Sequence, residues 1–474
     1  MRKPNLEELK KQTVFNVDNN ESPESPIFYT DQENFVPSSS RNIYAHDLGS
    51  IPIHNWYTTV AGFSSDFVSE IIKKNNLNQN DLILDPFSGT GTTALYAGQK
   101  GIKVYGVEAN PFHHLVANVK LNFDMDKNEI RSAVEDIRRK IEPDALKEGH
   151  FTYEEVPTIA INDHLSSIKS EGVGPPEMPH LAKWMSPNVL EKVIKIKTII
   201  DDHIAEFYSK DTTDFVKVAF ASILIPVSNM QLAGPKIAYR RKNSSRIICV
   251  NAPVFTNFIS KLNNMVFDLR HFDNSKWPKQ IVKLGDSRRV NELYHVKANL
   301  AITSPPYLNE VDYIENTRLE LYFLDFIKTE KEMRTLKEHL IRANTKYLFS
   351  TNKDYPDKLP HIDSFNDVLD YCKKIEIEWS KRKWGWDHPR LVAEYFADMT
   401  LHLKGMRELL QDGAHYIMMV GDSAIDGVHV PTDLLLAEIG REIGFSDTSV
   451  VPFRWRSSSR HKTKLRESVI EFVA

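Results

Sequence analysis

Short apolar runs closed by polar or glycine-rich turns alternate, along this chain, with longer stretches in which apolar residues recur every three or four positions. The first pattern signals buried strands and the second amphipathic helices. Strand candidates are Asp81–Asp85, Lys103–Glu108, Gln280–Asp286, Ala298–Ile302, Ala414–Val420, Ser449–Val451 and Ser468–Val473. Between the first two, ALYAGQKG reads as a helix closed by Gly101, making a strand, glycine turn, helix, strand unit. Phe67, Val68, Ile71 and Ile72 predict an earlier helix, capped by Ser64 or Ser65. EYFADMTLHLKGMRELLQ and TDLLLAEIGREIG predict helices between the late strands. The fold expected is α/β, a doubly wound, Rossmann-like sheet.

From about Lys120 to Trp277 helical patterns dominate, as in NEIRSAVEDIRRKIE and VFTNFISKLNNMVFDL. That is too long for a simple crossover and reads as a large helical insertion. The chain therefore divides into a polar N-terminal arm (1–45), the first part of the sheet domain (46–120), the insertion (121–277) and the second part of the sheet domain (278–474). A polar, aromatic segment, 328–389, forms a second insertion inside the last part.

Composition narrows the class. With 474 residues, 41% hydrophobic and 26% charged, the chain is globular and able to bury a sizeable core. No apolar run is long enough to span a bilayer and the first residues lack a secretory apolar core, so a cytoplasmic location is expected. Two distant cysteines, Cys249 and Cys372, argue against a disulfide framework or a structural zinc site, and no metal is expected. A net charge of −4 means that any nucleic-acid contact must use a local basic surface.

Two stretches carry chemistry. Asp85-Pro86-Phe87-Ser88-Gly89-Thr90-Gly91-Thr92-Thr93 is a glycine turn between strand and helix, without the Gly-Lys-Ser/Thr of a phosphate loop. Its glycines permit close approach of a ligand to backbone N–H groups. Asp85 at the strand tip suits a cationic amino or sulfonium group better than a phosphate. Glu108, at the next strand tip, stands where such folds hold ribose hydroxyls, and Asp286, at the third, is placed to accept from an adenine amino group. The second stretch is Thr303-Ser304-Pro305-Pro306-Tyr307, where two prolines end a strand and leave carbonyls free and Tyr307 projecting.

Together these motifs resemble the S-adenosylmethionine-dependent amino-methyltransferases of DNA. DPFSGTGTT looks like their cofactor loop, and TSPPY like their catalytic motif in the serine form typical of N4-cytosine enzymes. The cofactor loop precedes the catalytic motif, unlike the permuted order of many N4-cytosine enzymes. Residues 51–72 are similar to the family's cofactor-flanking motif; the resemblance covers about 51–120, 280–325 and 390–474. It implies S-adenosylmethionine as cofactor, with Asp85 and the Ser88–Gly91 backbone on its methionine part, Thr92 beside them, Glu108 on the ribose, Asp286 on the adenine and Phe87 nearby or in the core. It implies DNA as substrate, and a restriction endonuclease as a partner. Ser304 and the Pro305 carbonyl would accept from the amino hydrogens of a flipped base, Pro306 would stiffen the turn and Tyr307 would stack on the ring. Asp312 or Tyr313 would serve as pocket wall, and Leu319, Leu321, Phe323 and Leu324 as core.

Three basic stretches are candidates for DNA contact: Lys236, Arg240, Arg241, Lys242 and Arg246; Lys381, Arg382 and Lys383 beside Trp379, Trp384 and Trp386; and Arg454, Arg456, Arg460, His461, Lys462, Lys464 and Arg466. Sequence specificity is expected in the insertion or in 328–389. The leading expectation is N4-cytosine methylation of DNA. An adenine-N6 DNA methyltransferase, an RNA guanine methyltransferase and a non-catalytic nucleic-acid-binding protein stay open as alternatives.

Overall fold

The computed structural model describes residues 51–59, 64–157, 184–233, 236–272, 274–348, 359–381, 385–457 and 463–474. The N-terminal arm, Arg382, Lys383, Trp384, Arg460, His461 and Lys462 lie outside these residues. The central sheet has seven strands: β1 (Leu82–Asp85), β2 (Lys103–Glu108), β3 (Ile281–Leu284), β4 (Ala298–Thr303), β5 (Leu410–Gly421), β6 (Asp447–Ser457) and β7 (Lys464–Val473). Their order is β3-β2-β1-β4-β5-β7-β6. The first five pair in parallel, and β7 runs antiparallel between β5 and β6.

Strand order reverses between β1 and β4: the chain goes outward through β2 to β3, then returns to the other side of β1. Such a switch point opens a crevice at the carboxyl ends of the strands. Asp85, Glu108 and Ser304 stand at or just beyond those ends.

Alternation along the strands fills both faces. Ile83, Val104, Leu300 and Ile302 join one buried cluster, with Phe67, Ile71 and Leu95. Leu84, Val107, Ala301, Tyr416 and Met418 join another, with Tyr395, Phe396, Leu435 and Phe365. The first helix, Ser65–Lys74, starts where Ser64 Oγ accepts from the Phe67 N–H at 3.2 Å. Gly101, at φ 78°, closes the Thr92–Gln99 helix.

The insertion is built mainly on helices, as expected, and carries strands as well. Beside helices Lys127–Ala145, Pro187–Ile199, Lys210–Val227 and Val254–His271 it holds an antiparallel sheet of Thr152–Pro157, Ser245–Asn251 and Arg241–Lys242, plus a hairpin of Met230–Ala233 with Lys236–Tyr239. The turn between Lys242 and Ser245 uses Asn243 at φ 53°, a local conformation that an apolar-periodicity reading passes over. In the segment 328–389, helix Ser364–Ser380 buries Phe365, Val368 and Ile375 against helices His388–Leu409 and Thr432–Glu442. That helix is thus an outer layer of the sheet domain. Among the described residues no helix is long and apolar enough to cross a membrane.

Candidate active site

The glycine turn after β1 folds back onto β2. Ser88 N–H donates to the Val107 carbonyl at 2.9 Å, and Ser88 Oγ to the Asp85 carbonyl at 2.8 Å. Gly106 in β2 makes this possible, since a Cβ there would lie 2.0 Å from Ser88 Oγ and 3.3 Å from the Asp85 oxygen. Gly106→Ala is therefore expected to lift the turn and cost about 1–3 kcal/mol of stability. Urea denaturation checks it, and an unchanged midpoint would contradict the packing described. A glycine inside an otherwise β-branched and aromatic run was the sequence signal for this close approach.

Glu108 holds the turn from the other side. Its Oε2 accepts from Gly89 N–H at 2.8 Å and its Oε1 from Asn110 N–H at 2.7 Å. Burial pushes its carboxyl up to about 7 against these bonds. Asp85 sits one layer deeper, with its Oδ1 accepting from Thr303 Oγ1 at 2.7 Å and from Phe87 N–H at 3.3 Å. Burial raises it to about 6. Asp85 thereby locks the end of β1 to the end of β4.

The catalytic-motif candidate leaves β4 after Thr303. Tyr307 rests on the end of β5, where a Cβ on Gly421 would lie 2.8 Å from the Tyr307 Cδ2. Tyr395 Oη donates to the Pro306 carbonyl at 3.1 Å, and Ser304 Oγ reaches the Met419 carbonyl at 3.4 Å. Pro305 is buried.

One cavity of about 480 Å³ joins the two motifs, with Phe87, Gly89, Glu108, Ser304, Pro306 and Tyr307 in its wall. Ser88 and Thr90 are buried in the turn, while Gly91 (φ 85°) and Thr92 begin the helix behind Gly89. Asn110, His113, Met419 and Glu467 also line the cavity and were not singled out from sequence. Tyr313 is in its wall, whereas Asp312 is turned away, bound to Lys337 at 2.7 Å and to Tyr347 at 3.1 Å.

Asp286 also departs from expectation. Its carboxylate caps the short turn Ser287–Arg289 through Arg288 N–H at 2.9 Å and clasps the Arg288 guanidinium, with Nε at 2.9 Å and Nη2 at 2.5 Å. Arg288 reaches on to Asp398 at 3.2 Å. A carboxylate so paired is committed within the frame; Gly285 and Ser287, its neighbours, line the cavity instead.

The basic candidates scatter. Arg241 and Lys242 are exposed, and Lys242 pairs with Glu155 at 3.1 Å. Arg240 donates to the Pro226 carbonyl at 3.2 Å, and Arg246 lies 4.0 Å from the centre of the Tyr239 ring. Arg454 and Arg456 border the cavity, with Arg456 paired to Glu310. Arg382 and Arg460 lie outside the described residues. Arg466 is buried in the core, 2% exposed, and so is removed from the surface set.

A DNA methylase family model matches residues 10–119. The chain is 25% identical over 450 residues to the type II methyltransferase M.BsoBI of Geobacillus stearothermophilus, covering 86% of this chain and 81% of that one. It is 22% identical to M.AvaI of Nostoc sp. (88% and 84% covered) and 22% identical to M.MvaI of Kocuria varians (75% and 73%), both also type II methyltransferases. These matches support a place for the chain among the S-adenosylmethionine-dependent DNA amino-methyltransferases, and the segment matched by the family model takes in the glycine turn at 85–93.

Proposed function

We propose that this protein methylates the exocyclic N4 of cytosine in DNA, sequence-specifically, as the modification enzyme of a type II restriction–modification pair. The observation that carries the reading is the shared cavity, whose wall includes Ser304 and Tyr307 together with Gly89 and Glu108. The type II methyltransferase names of the relatives support the DNA substrate and a partner endonuclease. Serine before Pro-Pro-Tyr supports cytosine over adenine.

The cavity fits the cofactor. A Cβ on Gly89 would meet nothing within 4 Å, so space opens above the turn, and the volume falls in the range of small-molecule sites. S-adenosylmethionine, when bound, supplies an electrophilic methyl group. Gly89 and the turn would hold its methionine part and Glu108 its ribose diol, with Gly285 and Ser287 on the adenine side. Asp85 ties the turn to the end of β4, and so would keep the cofactor and base sides of the cavity in fixed relation.

On the base side, the target amino nitrogen is conjugated with its ring and is a weak nucleophile. Ser304 Oγ, in contact with the Met419 carbonyl and the Tyr307 hydroxyl, would accept an amino hydrogen on a remaining lone pair. Tyr307, backed by Gly421, would stack on the ring and fix its plane. The Pro306 carbonyl, on the cavity wall, accepts from Tyr395; Pro305, whose carbonyl was the expected acceptor, is buried and is not among the wall residues.

The test is nucleoside mass spectrometry after incubating the enzyme and labelled cofactor with DNA and, separately, RNA. N4-methylcytosine from DNA is expected. N6-methyladenine, methylguanosine from RNA, or no label would overturn the cytosine reading, and sequencing of the modified DNA maps the site. DNA affinity should also fall steeply with salt. If Arg241 and Lys242 contact phosphates, Arg241→Ala and Lys242→Ala should each reduce the log–log slope by about 1; slopes equal to the parent's would remove that hairpin from the interface.

A further inference from the structure

The end of β7 places in this cavity a carboxyl that the reading above leaves without a role. Glu467 is paired with Gly421 of β5 on one side and with Arg454 of β6 on the other. Residues directly opposite in antiparallel strands project from the same face. Gly421 is the residue on which Tyr307 rests, so Glu467 emerges beside the tyrosine ring. It shares the cavity wall with Ser304, Tyr307 and Met419.

Glu467 is 6% exposed, and its Oε2 makes no hydrogen bond. The charged groups facing it are Arg454, with Nε 3.9 Å from Oε2, and Arg456, with Nε 3.5 Å from Oε1. Arg456 is itself held by Glu310 and by the Asp422 carbonyl at 2.7 Å, and its Nε makes no hydrogen bond. Buried polar atoms are nearly always paired, so a free carboxyl oxygen at a cavity wall marks a place for a ligand's polar atoms.

We propose that Glu467 reads the amino edge of the flipped base, its carboxyl pairing with one exocyclic amino hydrogen and with the adjacent ring nitrogen. Cytosine offers N4–H beside N3, and adenine N6–H beside N1. A neutral carboxyl answers with one acceptor and one donor. Burial pushes Glu467 up to about 7, which keeps that proton available near neutral pH. The other amino hydrogen remains for Ser304, so the amino group is gripped from both sides. Thymine and uracil, with a carbonyl and a ring N–H on this edge, would be refused. The proposal rests on the reading of this cavity as the base pocket, and not on the base being cytosine rather than adenine.

The test uses the full chain, with DNA carrying the mapped site, and three readouts: kcat/KM for methyl transfer, affinity for S-adenosylmethionine, and affinity for a duplex lacking the target base. Glu467→Ala should lower kcat/KM about a hundredfold, the worth of a good two-point base contact, and leave both affinities unchanged. Glu467→Gln, whose amide keeps one donor and one acceptor, should recover most of that loss. If Glu467 only anchors Arg454 and Arg456, glutamine would fail as badly as alanine, and binding to the base-free duplex would weaken too. That outcome, or an alanine variant as active as the parent, overturns the proposal. A parent enzyme that methylates no base overturns the pocket reading and this proposal with it, whereas adenine methylation lost in Glu467→Ala and restored in Glu467→Gln overturns only the choice of cytosine.

Discussion

Tyr307→Ala is expected to lower methyl transfer to DNA about a hundredfold or more while cofactor affinity stays close to that of the parent. Stacking of a base on an aromatic ring is worth roughly 1–3 kcal/mol, and a loosened base adds a positioning loss of up to about a hundredfold. The ring is free to serve because its back face lies on Gly421, whose missing side chain leaves room for it. The side of the cavity proposed for the cofactor is built from other residues, chiefly Gly89 and Glu108. Steady-state kinetics with radiolabelled cofactor, paired with calorimetric cofactor binding, checks the separation. Equal turnover in the variant, or equal loss of both properties, would show that Tyr307 is a frame residue. Tyr307→Phe keeps the stacking face and should retain most of the activity.

Arg466→Ala should cost about 3–5 kcal/mol of folding stability, because it strips the partner from buried carboxylates. Arg466 Nε donates to Asp422 Oδ2 at 2.9 Å and Nη2 to Asp433 Oδ1 at 2.8 Å. Ser468 Oγ donates to the other Asp433 oxygen at 2.6 Å, and His429 lies 2.8 Å from Asp422. Burial leaves Asp433 raised to about 6, whereas Arg466 and His429 hold the Asp422 carboxyl below the usual range against its own burial. Such a depressed acid stabilises the fold above its unfolded pKa of about 3.9 and loses that contribution as the pH falls below it. The cost of the substitution should therefore be full at neutral pH and shrink in acid. Urea unfolding at several pH values measures this; a cost under about 1 kcal/mol at pH 7 would contradict the buried pairing. The same experiment separates Arg466 from the exposed Arg241, whose removal should leave stability nearly unchanged.

Much of the frame was legible because its signals are local. A run such as Leu82-Ile83-Leu84 is buried on both faces wherever it folds, and the glycine turn and the prolines after β4 end their strands by backbone chemistry alone. The small sheet in the insertion was hidden because its strands are brief and pair residues far apart, as Thr152–Pro157 does with Ser245–Asn251. Arg466 looked like one more cation in a basic run because composition carries no burial, and KLRESVIEF reads the same whether the strand is at an edge or enclosed. Here β7 lies between β5 and β6, which closes both of its sides.

Side-chain partnership was the part that distance along the chain concealed. Sequence order alone determined the α/β pattern, the two motifs and the acids at or near three strand ends, since each depends on neighbours within a few residues. Only the tertiary structure decided which of those acids is free to act. Asp286 is drawn to Arg288, which also binds Asp398, Asp85 is spent on Thr303 from 218 positions away, and Glu108 alone of the three reaches the cavity wall. It also decided what surrounds Ser304 and Tyr307: β5 and β7 must pair before Gly421 can seat the tyrosine and Glu467 can stand beside it. A carboxylate goes to the nearest donor that packing delivers, and packing is settled by the whole chain at once.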